Sequence, residues 1–149
     1  MFLGTRIKRV LVVEELPEIE RTIRQFMEQW FSNKVMITGL WSFFWWLYTR
    51  VVEVHVEVST RFDHPDRLFQ WWGQILIENK PDEILVMISN SLNGMTGSEL
   101  IEQLRGLTGG DRVHYVVMSS EPEVVRAPPG VSVISKFHLY KLRTLMQKM

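Results

Sequence analysis

The chain has no cysteine, which excludes disulfides and thiolate metal sites and is compatible with a reducing cytoplasm. It has no net charge, 17 basic residues balancing 17 acidic ones, so no global field draws it to nucleic acid or an anionic membrane. Long apolar runs are missing. The most apolar stretch, Val35 to Tyr48, is about 14 residues, against the roughly 20 needed to cross a bilayer. The basic residues of Met1 to Arg9 precede no apolar segment long enough for a signal peptide. No glycine-rich phosphate loop, zinc pattern or triad signature is present, and His55, His64, His114 and His138 show no ligand spacing. What remains is 46 % hydrophobic content over 149 residues, enough for one domain over 1–149 with a real core, without linker or repeat. The expectation is a cytoplasmic protein with no stable membrane insertion.

Arg9 to Val13 is a continuous apolar run, suited to a strand covered on both faces of a parallel sheet. Pro17 suits the first turn of a helix, with Glu18 and Glu20 near its positive end. Ile19, Ile23, Phe26, Met27 and Trp30 mark its buried face. Val52, Val54, Val56 and Val58 alternate with polar residues, predicting a strand with one wet face near the sheet edge. Asp63-His64-Pro65 opens a second helix carrying Leu68, Trp71, Trp72, Ile75 and Leu76. The strand Ile84 to Ile88 follows. Thr96 and Glu99 have capping-box spacing ahead of a third helix. Val113 to Met118 and Val131 to Ile134 make the last two strands, and a basic helix spans roughly His138 to Lys148. Its Lys141, Arg143 and Lys148 suit a solvated helix face. Strands alternating with helices predict an α/β doubly wound, five-stranded parallel sheet.

Four phrases along the chain carry a resemblance. Leu11-Val12-Val13-Glu14-Glu15-Leu16-Pro17-Glu18-Ile19 resembles a first-strand motif with two aspartates, here glutamates. Ser89-Asn90-Ser91-Leu92-Asn93-Gly94-Met95-Thr96-Gly97 resembles the phrase around a phosphate-accepting aspartate, matching at Leu92, Gly94, Met95 and Gly97. Val117 to Glu121 and Ile134 to Phe137 resemble the ends of the fourth and fifth strands, with Lys136 retained. Together these are similar to bacterial response-regulator receiver (CheY-like) domains over most of the chain, excluding about residues 35 to 50.

The resemblance implies a pocket of Glu14, Glu15, Ser89, Ser119 and Lys136 that has lost its chemistry. An active receiver uses two carboxylates and the acceptor aspartate to hold magnesium during phosphoryl transfer. A serine hydroxyl is a poor nucleophile without a neighbouring base and cannot form an acyl phosphate. Each glutamate adds a methylene, and magnesium tolerates little geometric error, so binding is expected to be weak or absent. Lys136 is expected to bridge to Glu14 or Glu15 and to hydrogen-bond Ser89. A Ser89–Lys136 hydrolytic dyad would need a neutral lysine, which two adjacent glutamates oppose. Val133 stands where the family often has a switching aromatic. Pro122, Pro128 and Pro129 reduce the fourth helix to a loop or single turn and rebuild the usual output face.

Between the first helix and the Val52 strand lies an insertion, about 35–50, with Trp41, Phe43, Phe44, Trp45, Trp46 and Tyr48 among its aromatics. It can be an extra element buried against the sheet edge, a partner-docking or self-association surface, or an interfacial membrane helix, although it lacks a basic polar face. The reading is a non-enzymatic pseudo-receiver acting as a protein–protein interaction module in bacterial signal transduction or localisation. A homodimer through the aromatic insert is its simplest version. The alternatives are an atypical response regulator with metal-dependent phosphotransfer, using Glu14 and Glu15 with Ser89 or Ser91 modified, and a small-ligand-binding module.

Overall fold

The computed structural model describes residues 6–14, 16–31, 57–62, 65–92 and 94–149. Among the described residues the main sheet has five strands in chain order: β1 (Arg9–Val13), β2 (Glu57–Phe62), β3 (Ile84–Ser89), β4 (His114–Ser119) and β5 (Ser132–Ser135). The helices are α1 (Pro17–Phe31), α2 (Pro65–Glu78), α3 (Gly97–Arg105) and α4 (Leu142–Gln147). The four pairings within this sheet are parallel, in the order β2-β1-β3-β4-β5, and a separate two-residue antiparallel bridge joins Ser91–Leu92 to Met95–Thr96.

The unbroken apolar strands follow from burial on both faces. Along β1, Val10 and Val12 point to one side and Leu11 and Val13 to the other, the period of two inherent in a strand. On the first side, Leu85, Met87, Val116 and Met118 meet Ile23 and Met27 of α1, with Leu139, Leu142 and Met146 near the chain's end. On the second, Val86, Ile88, Tyr115 and Val117 meet Trp72 and Ile75 of α2 and Leu100, Ile101 and Leu104 of α3. Each fully buried aliphatic side chain contributes about 1.5–3 kcal/mol, so β3, with all six residues buried, is the anchor of the fold.

Local sequence explains the helix starts. Pro17 begins α1, where its missing N–H costs nothing. Thr96 Oγ1 accepts from Glu99 N at 3.2 Å and Glu99 Oε2 accepts from Thr96 N at 3.4 Å, the reciprocal cap of α3. In α2 Trp72 is buried and Trp71 is 57 % exposed, as their adjacent positions require. Of the strand expected around Val52 to Ser59, the described part is β2, which runs on through Phe62; Val52, Val54 and Val56 lie outside the described residues. Among the described residues it lies at the sheet edge, as its alternation suggested. The C-terminal helix is also shorter than expected, one 3-10 turn over Leu139–Lys141 followed by α4.

Only a 3-10 turn, Pro122–Val124, interrupts the loop between β4 and β5. Proline removes an amide donor and biases its predecessor to extended backbone. The loop is instead tied to α3. Ser98 Oγ donates to Arg126 O at 3.0 Å and Arg105 Nη2 donates to Pro129 O at 2.9 Å. Among the described residues, no helix is long and apolar enough to cross a membrane.

Candidate functional site

Strand order reverses direction between β1 and β3, and in open α/β sheets the crevice at the carboxyl ends of such strands is the usual site. Glu14 follows the last residue of β1, Ser89 ends β3, Ser119 ends β4 and Lys136 follows β5. The topology therefore brings to one sheet edge four residues that are far apart in sequence.

Three of them meet directly. Lys136 Nζ lies 2.7 Å from Glu14 Oε2 and donates to Ser89 Oγ at 2.9 Å. Glu14 is only 2 % exposed and Ser89 fully buried, while the lysine side chain keeps 17 % of its surface. The Ser89 hydroxyl donates in turn to Ser91 O at 3.3 Å. Its lone pair is thus faced by an ammonium and its proton by a carbonyl. Glu14 Oε1 accepts from Leu16 N at 3.3 Å, which fixes the carboxylate from the chain side. Of the two glutamates considered as partners of Lys136, Glu14 makes the contact. Glu15 lies outside the described residues.

Ser119 joins through the backbone. Its carbonyl accepts from Lys136 N at 2.9 Å, which positions the lysine, and its Oγ accepts from Glu121 N at 3.0 Å. The hydroxyl holds the start of the proline-containing loop. Ser135 Oγ, which sequence reasoning passed over, similarly accepts from Phe137 N at 3.1 Å. Its place immediately before Lys136 was the only available signal. Ser91 was noticed for its hydroxyl, yet its carbonyl is the group that touches Ser89, a role no side-chain motif can reveal.

The loop after Ser89 keeps its form through shape-bearing residues. Leu92 pairs with Met95 across a two-residue antiparallel bridge, and both pack on the α2–α3 core. Gly94 has φ +85°, a conformation that suits glycine. A Cβ at Gly97 would lie 2.6 Å from the Ser89 carbonyl oxygen, so α3 approaches β3 this closely only with glycine there. The aromatic candidates Trp41, Phe43, Phe44, Trp45, Trp46 and Tyr48 lie outside the described residues, as does Asn93.

Metal binding is constrained by the donor set. Magnesium takes near-octahedral oxygen ligands, usually with one or two free carboxylates. Here Glu14 already faces an ammonium, and no group of three His, Asp or Glu able to hold a metal occurs among the described residues. The described side chains therefore do not fit that ion.

No protein-family model and no curated protein matches the sequence. Solved structures do match. The response regulator TrrA of Thermotoga maritima, determined with magnesium and beryllium fluoride, superposes with a TM-score of 0.55 at 15 % identity, covering 95 % of this chain and 98 % of that one. A CheY-like receiver domain from Methylobacillus flagellatus gives 0.54 at 14 % identity, with 94 % and 98 % covered. The magnesium-bound receiver domain of an Arabidopsis thaliana histidine kinase gives 0.55 at 12 % identity, with 99 % and 94 % covered. With the strand order and the shared sheet edge, these similarities establish that the chain adopts the receiver fold.

Proposed function

We propose that this chain is a pseudo-receiver that works without phosphoryl transfer, as a non-enzymatic protein–protein interaction module in signal transduction. One observation carries the reading: the Ser89 hydroxyl is buried with Lys136 on its lone pair and Ser91 O on its proton. A nucleophile needs a free lone pair and a base to take its proton; here the nearest basic side chain acts as the donor. The Lys136–Glu14 pair neutralises charge inside the pocket, where an active receiver would use that charge on metal and phosphate. The same contacts hold the strand ends of β1, β3 and β5 together, so the pocket acts as a clamp and the fold presents one docking state.

The partner is a protein. The proposed contact surfaces are the segment from Trp41 to Tyr48, through which a homodimer would form, and the Glu121–Gly130 loop that replaces the usual helix.

Incubation with magnesium and a small acyl-phosphate donor, followed by intact mass measurement, tests this. The protein should stay unmodified while an active receiver run in parallel is labelled. A labile phosphoryl adduct on this chain would overturn the proposal.

A further inference from the structure

At the opposite edge of the sheet, where β4 and β5 begin, a cleft of about 240 Å³ opens between α3 and α4. Arg105, His114, Tyr115, Ser132, Leu145 and Lys148 contribute to its lining. Arg105 ends α3, His114 is the first residue of β4 and Ser132 the first of β5. Lys148 follows the last residue of α4. Three elements thus deliver three nitrogen donors to one concavity.

These side chains make no ion pair at contact distance among the described residues. Among the described residues no carboxylate lies within ion-pair distance of Arg105, His114 or Lys148. The arginine is also held in place. Its Nη2 donates to Pro129 O at 2.9 Å, and its guanidinium sits 5.7 Å from the centre of the Tyr115 ring. That uses one of five N–H donors and leaves a preoriented fork. Tyr115 donates its hydroxyl to Gly110 O at 2.6 Å, so the ring is what this residue offers the cleft. Leu145 and Val113 supply apolar wall.

We propose that this cleft binds a small organic phosphate. Arg105, Lys148 and an N–H of His114 hold the phosphoryl oxygens, Ser132 supplies a hydroxyl, and the carbon portion rests against Leu145. Donors converging from three elements suit a tetrahedral phosphoryl group better than a planar carboxylate. The volume exceeds that of the bare ion and admits a small organic group. This site is separate from the Glu14–Ser89–Lys136 centre and does not depend on that centre's function.

The test is a heteronuclear NMR titration of the full chain at fixed ionic strength with phenyl phosphate, inorganic phosphate and benzoate. Phenyl phosphate should give saturable shifts at the Arg105, His114, Ser132 and Lys148 amides, with tighter binding than either other probe. Losing one charge-assisted contact in Lys148→Ala should weaken binding about tenfold. Arg105→Lys, which keeps the charge and loses the fork, should weaken it as well, and both variants should retain the wild-type spectrum elsewhere. Unsaturable shifts, saturation confined to the Ser89 and Lys136 amides, benzoate binding as tightly as phenyl phosphate, or undiminished affinity in Lys148→Ala would each overturn the proposal.

Discussion

The two edges of the sheet balance charge in opposite ways. At the carboxyl edge a buried acid and a nearly buried base neutralise one another at 2.7 Å and share a serine. At the amino edge Arg105, His114 and Lys148 surround a cleft with no acid in ion-pair range among the described residues. Open α/β sheets ordinarily place ligands at the carboxyl edge. In this molecule Glu14, Ser89 and Lys136 at that edge contact one another, whereas the cations at the other end have no acid at contact distance among the described residues. Topology brings residues to an edge, but charge balance decides whether the edge is a clamp or a receptor.

The strongest way to break the comparison is Lys136→Met. It leaves Glu14 buried without its cation, and removing one partner of a buried pair costs about 3–5 kcal/mol. Chemical denaturation should register the loss, whereas a change below about 1 kcal/mol would show the pair to be a solvated surface contact. Gly97→Ala comes next. Its methyl group would press on the Ser89 carbonyl, and overpacking of this kind costs about 1–3 kcal/mol. A stability equal to wild type would mean that the β3–α3 loop yields freely.

The smallest effect is expected of the double variant Glu14→Leu/Lys136→Met. Removing both charges removes the desolvation penalty with the attraction, so stability should stay within about 1 kcal/mol of wild type. A deficit as large as that of Lys136→Met alone would show that the clamp stabilises through packing rather than charge. Together the single and double variants form a cycle that isolates the pair's coupling.

The strand cores, the α3 cap and the proline-broken β4–β5 loop were all legible in the sequence because each depends on local pattern. Apolar runs, a Thr96–Glu99 spacing and three prolines act within a few residues of where they sit. The strand limits were less legible: β2 extends through Phe62 because pairing with β1, not alternation alone, sets its end. The four receiver-like phrases located the carboxyl edge, and with it Glu14, Ser89, Ser119 and Lys136.

By itself, then, the sequence determined the layered α/β architecture, since hydrophobic period and turn chemistry are local properties, while the resemblance of its four phrases pointed to the residues at the carboxyl edge. Tertiary structure alone decided that the Ser91 carbonyl would take the Ser89 proton, and that Arg105, His114 and Lys148 would share a cleft. Hydrogen bonds and Coulomb forces act over a few ångströms of space, and only the folded sheet converts such separations into contact.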